Sequence, residues 1–320
     1  MNAIDLSVVV PMFNEQEIIP RTIREIVKEL TPLAIAWELV LVDDGSGDDT
    51  LAICRRAQNE DPRIRVVTYP HNRGRGYALR TGFQVARGGT VVTIDADLSY
   101  SPEHISLIWR ELGKGEADIV IGSPYMPGGR AVGVPFSRLL ISRLGNSVLR
   151  YVFPGRIRTL TGILRGYHKE VLEAISLDSQ GKEIHLEILS KALALGYRVK
   201  EVPAVLRGRS KGRSKFKFSA TTISHLLFSV YQKPMIIFGF FGLSLVLGGL
   251  GIGVFVVIKR FQHSLNPTRP IITLMILMIV AGVQMFSFGF LANQIGIIKK
   301  ELYKIQKIDR SIERKVGKED

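Results

Sequence analysis

The sequence has one cysteine and no recognisable secretory leader. Cys54 cannot form an intrachain disulfide, which excludes a disulfide-stapled scaffold and agrees with a reducing compartment. Residues 1–5 lack basic side chains, and the apolar run at 7–10 is too short for the core of a signal peptide. We therefore expect the N-terminal part of the chain to stay in the cytosol.

Acidic residues are also scarce: 29 Asp and Glu stand against 43 Lys and Arg, which gives a formal net charge of +14. Zinc-ligand spacing and aromatic signatures of RNA binding are absent from the sequence. The basic residues concentrate beside the most apolar segments of the chain. This placement favours anionic lipid headgroups or a phosphorylated lipid as partners, and not nucleic acid.

Two long uncharged runs occupy residues 234–258 and 270–298. Both exceed the roughly 20 residues that a helix needs to cross a bilayer, so we predict two membrane helices. Basic residues are frequent before residue 234 and after residue 298, whereas Lys259, Arg260 and Arg269 are the basic residues between the runs. The positive-inside rule then predicts a two-pass integral membrane protein with its N-terminal domain and both termini in the cytoplasm.

The first 125 residues alternate short apolar runs with helical patterns, which is typical of an α/β fold with a mostly parallel sheet. The predicted strands are residues 6–10, 37–42, 64–69, 90–94 and 117–121, and the predicted helices are residues 15–30, 50–59, 76–86 and 102–112.

Two amphipathic segments follow, one before residue 153 and one within residues 219–233. In residues 135–153, arginines are interleaved with apolar side chains, and this segment lies either at a membrane surface or on the sheet as an ordinary surface helix. We expect a catalytic domain at residues 1–218, an interfacial helix at 219–233, membrane helices within 234–298 and a basic cytoplasmic tail at 299–320.

Asp95 and Asp97 follow the apolar run that ends at Ile94. Side chains at positions i and i+2 of an extended strand point the same way, so both carboxylates would leave the sheet on one side. Such oxygen ligands suit Mg²⁺ or Mn²⁺, which are commonly shared with substrate phosphates. The alternative is that two aspartates merely end a strand.

A nucleotide base needs an apolar slot and a carboxylate that accepts its ring N–H. Pro11, Phe13 and Val42 could form the slot, and Asp44, in preference to Asp43, could supply the carboxylate. The nearby GSGDDT segment lacks the third glycine of a dinucleotide-binding loop and is explained by a helix that begins near Asp48.

Several segments occur together in order: SVVVPMFNE from Ser7, LVDDGSGDDT from Leu41, TIDADLSYSPE from Thr93, and RTLTGILRGYHKEVLE from Arg158. HLEILSKALALGYRVKEVP from His185 and RGRSKGRSKF from Arg207 complete the set. Together they resemble family 2 glycosyltransferases, most closely the dolichyl-phosphate mannosyltransferase and polyprenyl-phosphate glycosyltransferase branch. The resemblance implies a GT-A fold, which is Rossmann-like with a mostly parallel central sheet.

The resemblance also implies roles for individual residues. Glu15 would contact the nucleoside, Asp95 and Ala96 would line the sugar-nucleotide, and Asp97 would bind the metal that bridges the diphosphate. Ser99 stands where some relatives have glutamine and is a candidate second ligand. Arg209 matches a phosphate-binding arginine, and Lys215 would join it in a phosphate clamp.

The acceptor follows from chemistry. A sugar hydroxyl needs a general base before it can attack, whereas a polyprenyl phosphate is already an anion. Arg138, Ser142 and Arg143 could position that phosphate near the membrane. Together with this argument, the resemblance implies an inverting transfer of one sugar, mannose or glucose, from GDP-mannose or UDP-glucose to polyprenyl or dolichyl phosphate.

Two other functions stay open at this point. A processive polysaccharide synthase also joins a GT-A domain to membrane helices, but its usual Q-x-x-R-W string is absent. A non-catalytic membrane scaffold would have kept the fold and lost the activity.

The chain departs from the family pattern at two positions. Pro124 stands where many relatives have arginine, and Thr159 stands where others have aspartate. Glu187 matches a family glutamate without an assigned role. Gly248, Gly249, Gly251 and Gly253 form a small-residue face that could mediate self-association into a homo-oligomer.

Overall fold

The computed structural model describes residues 3–134, 157–208, 234–262 and 270–316. The chain divides into two compact units: Met1–His225 together with Tyr303–Asp320, and Leu226–Leu302. The first unit holds the central sheet, and the second holds the long apolar helices.

A seven-stranded sheet in the order β3-β2-β1-β4-β7-β5-β8 forms the centre of the first unit. Strand β7 runs antiparallel to β4 and β5, and the other neighbours pair in parallel. The predicted mostly parallel α/β sheet is therefore confirmed. The strands are β1 (Leu6–Met12), β2 (Trp37–Asp43), β3 (Ile64–Thr68), β4 (Thr90–Thr93), β5 (Ile119–Ser123), β7 (Arg165–His168) and β8 (Val199–Pro203).

A second, two-stranded sheet pairs β6 (Arg130–Val132) in parallel with β9 (Val205–Arg207). The sequence analysis predicted neither of these strands, and it missed β7 and β8. These strands are short or carry charged residues, so they lack the apolar runs that identified β1 to β5.

Among residues 3–134 and 157–208, six helices cover the sheet: α1 (Ile19–Leu30), α2 (Thr50–Glu60), α3 (Arg75–Val85), α4 (Glu103–Gly113), α5 (Lys169–Ala174) and α6 (Ile184–Ala194). The first of them begins four residues later than predicted, because residues 13–18 form a loop. The other three predicted helices agree with the structure within one residue at each end.

Strands β1 and β2 are buried along their whole length, as expected for the centre of a parallel sheet. Helix α3 lies close to them because Gly82 has no side chain: a Cβ there would collide with Val9 and lie 3.2 Å from a methyl of Val42. Cys54 is fully buried beside Met12, and burial raises the pKa of its thiol to about 12. The thiol therefore stays protonated and unreactive at neutral pH.

Two long helices follow in the described part of the chain, α7 (Pro234–Phe261) and α8 (Pro270–Val316). The second unit contains α7 and the part of α8 that ends at Leu302. Phe238–Phe261 and Pro270–Lys299 are long and apolar enough to cross a membrane. The predicted second membrane helix ends at residue 298, whereas helix α8 continues to Val316.

Glycines allow α7 and α8 to pack closely. A Cβ at Gly242 would lie 2.7 Å from the carbonyl oxygen of Gly282, and one at Gly249 would lie 2.6 Å from Ile279. Gly248 and Gly253 likewise face methionines of α8, whereas Gly251 has no atom within 4 Å. Three of the four glycines proposed for self-association therefore face the neighbouring helix of the same chain.

Candidate donor site

The strand order changes direction between β1 and β4, since β2 and β3 lie on one side of β1 and β4 lies on the other. Ligands of open α/β sheets bind beyond the carboxyl ends of the strands at such a switch point. The loop after β1 contains Phe13 and Glu15, and the loop after β4 contains Asp95 and Asp97. The topology thus brings together the two loops that the sequence singled out.

The loop after β4 is held in a defined conformation. Asp97 Oδ1 accepts a hydrogen bond of 2.9 Å from the Ser99 backbone N–H, and Leu98 between them has a φ of +53°. On the other side, the Thr22 hydroxyl of α1 donates to the Ala96 carbonyl at 2.6 Å. Left-handed backbone at a non-glycine residue is uncommon and concentrates at functional sites.

Strand β9 runs beside the same loop. The Arg207 N–H donates to the Ser99 carbonyl at 2.7 Å, and Tyr100 forms a bridge with Leu206. Burial and the nearby Asp95 raise the pKa of the Tyr100 hydroxyl, so this side chain stays neutral. The two segments are therefore joined through backbone atoms at the edge of the site.

His104 fastens this junction to the start of α4. Its Nδ1 lies 2.8 Å from the Ser101 carbonyl, and its Nε2 accepts the Val205 N–H at 3.0 Å. A carbonyl can only accept, so Nδ1 carries the proton and Nε2 is the acceptor. No local sequence pattern indicates this role, because His104 and Val205 are 101 residues apart.

The loops after β1 and β2 are bonded to each other. The Asn14 N–H donates to Ser46 Oγ at 2.9 Å, the Glu15 N–H donates to Thr50 Oγ1 at 2.9 Å, and the Gly47 N–H donates to Asn14 Oδ1 at 2.8 Å. Asn14 has a φ of +52°, a second left-handed residue at this edge of the sheet. The PMFNE and DDGSG segments therefore form one continuous rim.

Two residues predicted to bind the base have other surroundings in the structure. Val42 is fully buried near the carboxyl end of β2, and its place in a slot for the base stays a prediction. Asp44 is also buried and accepts four hydrogen bonds, from the Tyr69 hydroxyl, the Asn72 amide, and the N–H groups of Arg73 and Gly74. Asp44 thus anchors the loop after β3, and its role as the acceptor for a base stays a prediction.

Arg75 is the cationic neighbour of Asp95. Its Nη2 lies 3.0 Å from Asp95 Oδ1, with the two side chains 33% and 18% exposed. The sequence analysis missed this arginine, since 20 residues separate it from Asp95 in the chain. A basic residue at the start of a helix opposes the helix dipole, so the pairing with Asp95 explains its position better than helix stability does.

The two departures from the family pattern lie together. Pro124 is buried next to Ser123, whose hydroxyl lies 2.7 Å from the hydroxyl of buried Thr159. Glu201 then accepts the N–H groups of Arg158 and Thr159 at 2.9 and 2.7 Å. Thr159, at the position of the family's aspartate, therefore pairs with a neutral hydroxyl, and Pro124 places no charge at the position of the arginine.

Arg165 is a fully buried residue of β7 that the sequence analysis did not single out. It donates to the carbonyls of Gly162, His185 and Leu160 at 2.8, 3.0 and 2.5 Å. One guanidinium thus joins the LTG segment at 160–162 to the start of α6.

The carboxylate of Asp97 suits a hard divalent cation whose other ligands come from a bound substrate and water. Among the described residues, no group of three or more His, Cys, Asp or Glu side chains could hold a metal ion. Mg²⁺ is usually bound through one or two carboxylates together with substrate phosphates and water, so a single aspartate at the edge of a crevice agrees with this pattern.

The remaining predicted site residues, Arg138, Ser142, Arg143, Arg209 and Lys215, lie outside the described residues, as do both amphipathic segments. Arg209 follows β9 by two positions in the chain.

A glycosyl transferase family 2 model matches residues 7–176, and the chain belongs to this family. It is therefore a glycosyltransferase, with a sheet and a pair of aspartates that suit this class. The polyprenol monophosphomannose synthase of Mycolicibacterium smegmatis is 34% identical over 70% of this chain and 85% of its own length. The dolichol-phosphate mannosyltransferase of Pyrococcus furiosus is 34% identical over 71% of this chain and 63% of its own.

A relative that also matches the C-terminal part is the dodecaprenyl-phosphate galacturonate synthase of Rhizobium johnstonii. It is 27% identical over 92% of this chain and 89% of its own length. Among solved structures, the glucosyl-3-phosphoglycerate synthase of Mycobacterium tuberculosis has a TM-score of 0.57 at 22% identity, covering 71% of this chain and 79% of that chain. The same enzyme has been crystallised with Mn²⁺ and UDP. This likeness confirms the GT-A fold.

Proposed function

We propose that this protein transfers one sugar from a nucleotide diphosphate sugar to a polyprenyl phosphate at the cytoplasmic face of a membrane. The observation that carries the proposal is the position of Asp95 and Asp97 at the switch point of the sheet, in a chain with two helices long enough to cross a bilayer. Relatives named for polyprenol-, dolichol- and dodecaprenyl-phosphate sugar synthesis support this acceptor class.

The donor would lie across the carboxyl ends of β1 and β4. Pro11, Phe13 and Glu15 would contact the nucleoside, and Asp95 and Ala96 would line the sugar and diphosphate. Asp97, with Ser99 as a second candidate ligand, would hold Mg²⁺ or Mn²⁺ against the diphosphate. When bound, the cation would supply Lewis-acid neutralisation of the charge on the leaving group. Arg209 and Lys215 would add positive charge on the side of β9.

The protein's own groups favour an acceptor that is already charged. His104, the histidine beside the DADLS loop, uses both ring nitrogens in bonds to the backbone. Glu187, the family glutamate, is paired with Lys191 at 2.6 Å. Neither is placed to take a proton from a sugar hydroxyl, whereas a lipid phosphate needs no base. Its oxygen would attack the anomeric carbon opposite the leaving diphosphate and invert the configuration.

The phosphate would arrive from the bilayer. Arg138, Ser142 and Arg143 would position it, and α7 and α8 would hold the domain at the membrane with both termini in the cytoplasm. GDP-mannose or UDP-glucose would be the donor.

The test is transfer of radiolabel by membranes that contain the protein, with polyprenyl phosphate and Mn²⁺, from GDP-mannose, UDP-glucose or UDP-galacturonate in turn. We expect one donor to give label in the organic phase as a single-sugar lipid. Label in a long aqueous polymer would instead identify a polysaccharide synthase. Absence of label from every donor, with folded protein, would favour the non-catalytic scaffold.

A further inference from the structure

Glu187 of α6 is a buried anion whose partners are visible in the structure. Its side chain receives Lys191 Nζ at 2.6 Å and accepts the N–H groups of Asp178 and Ser179 at 3.0 and 2.9 Å. Burial would raise the pKa of Glu187, but these hydrogen bonds outweigh it and lower the pKa, so the carboxylate stays charged. Lys191 extends the contact by donating to the Ser176 carbonyl at 2.5 Å. The pair therefore holds the segment 176–179 at both of its ends.

The residue that follows this segment in the chain, Gln180, contacts the start of α3. The Gln180 carbonyl accepts the N–H groups of Gly76 and Tyr77 at 2.6 and 3.2 Å. The Arg80 guanidinium of the same helix donates to the Asp178 carbonyl at 3.0 Å. The first N–H groups of a helix have no partner within it, so these bonds complete its N-terminus.

Two glycines make this contact possible. A Cβ at Gly76 would lie 2.6 Å from backbone atoms of residues 179–181, and one at Gly74, with a φ of +92°, would lie 2.7 Å from the Gln180 oxygen. On the opposite side, Asp44 accepts the N–H groups of Arg73 and Gly74 at 2.8 and 3.0 Å. The backbone before α3 is thus held between Asp44 and the segment that Glu187 fixes.

Arg75 lies between these two glycines and is the residue that contacts Asp95 at 3.0 Å. Its backbone position depends on bonds made by its neighbours on either side. A change in the segment 176–181 would therefore move the start of α3, and with it the guanidinium that orients Asp95.

We propose that Glu187 is a positioning residue that sets the geometry of Asp95 through the segment 176–181, the start of α3 and Arg75, and so determines affinity for the sugar-nucleotide donor. This inference rests on the proposed function. It assigns Glu187 no contact with substrate and no proton transfer. It also assigns Arg75 to the donor side of the site and not to the lipid acceptor.

The test compares Glu187→Gln, Arg75→Met and the double variant in the full-length protein. We expect each single variant to raise the KM for the donor about tenfold while the KM for polyprenyl phosphate stays the same, since small misplacements of a reacting geometry are costly. The double variant should be no worse than Arg75→Met alone, because both changes act on one contact. Multiplying effects, or a raised KM for the lipid, would overturn the proposal.

Two controls separate positioning from general loss of stability. Glu173→Gln breaks the exposed pair with Lys169, which has the same spacing, and should leave the donor KM unchanged. Leu186→Ala creates a cavity at a fully buried site on the same helix and should lower thermal stability without a tenfold change in donor KM. An equal rise in donor KM for Leu186→Ala would assign Glu187 a merely structural role.

A second readout does not depend on activity. Hydrogen exchange at the Gly76 and Tyr77 amides should become faster in Glu187→Gln and stay at the wild-type rate in Glu173→Gln, and unchanged rates in Glu187→Gln would contradict the proposal. If Glu187→Gln is not recovered folded, Lys191→Met provides the same test from the other partner. An inactive wild-type protein would overturn the proposed function, whereas an active one with independent variant effects would overturn this inference alone.

Discussion

Asp97→Asn should lower kcat/KM for sugar transfer by roughly a thousandfold, equivalent to about 4 kcal/mol of transition-state stabilisation. Asparagine keeps the oxygen that accepts the Ser99 N–H at 2.9 Å, so the turn and its left-handed Leu98 should persist. What is lost is the negative charge that would hold a divalent cation against the diphosphate. The measurement is the initial rate at several Mn²⁺ concentrations for both proteins.

The matched control for this variant is Asp5→Asn, which makes the same chemical change at the amino end of β1, the opposite edge of the sheet. Asp5 accepts the Ala36 N–H at 2.9 Å, and asparagine can accept it as well. We expect wild-type activity from this control. If Asp97→Asn retains activity within a few-fold of the wild type at all Mn²⁺ concentrations, Asp97 is not the metal ligand.

Arg165→Met should destabilise the first unit by about 3 kcal/mol or more, because buried acceptors that lose their donors are costly. The variant removes the donors to Leu160, Gly162 and His185 at once. The expected fall in the thermal midpoint is roughly 10 °C for a domain of this size. The measurement is thermal unfolding of the purified protein in detergent.

Two further variants test the reason for this loss. Arg165→Lys keeps the charge but lacks the planar fork that reaches several carbonyls, so it should be nearly as unstable. Arg198→Met removes an arginine that is 58% exposed and pairs with Asp118 at 3.0 Å, and it should have little effect. Equal thermal midpoints for Arg165→Met and the wild type would show that Arg165 does not hold the LTG segment.

Strands β1, β2, β4 and β5 could be predicted because they are buried along their whole length and are read as apolar runs, as in the segment before Pro11. Strand β7 could not, since its sequence is RGYH and its arginine is buried through carbonyl bonds that no local pattern reveals. The short β6 and β9 depend on pairing with each other and have no signal of their own.

The difference between local sequence signals and tertiary contacts also decides which residues of the site could be predicted. Asp95 and Asp97 were predicted correctly to follow a strand at the edge of the sheet, because position within the chain fixes that. Their surroundings were not, because Arg75 reaches Asp95, and Thr22 reaches the Ala96 carbonyl between the two aspartates, through tertiary packing. Asp44 was predicted as a base acceptor from its residue type, and the four donors that its neighbours supply also depend on tertiary packing that no local pattern reveals.

Transfer of a sugar to a lipid phosphate is tested most directly by offering the purified protein two acceptors that differ only in the phosphate. Polyprenyl phosphate and the corresponding polyprenol are each incubated with the active donor and Mn²⁺, and the lipid products are identified by mass spectrometry. We expect a single-sugar adduct of polyprenyl phosphate that is absent with Asp97→Asn, and no adduct of polyprenol. Equal glycosylation of polyprenol, or a polymer formed without lipid, would contradict it.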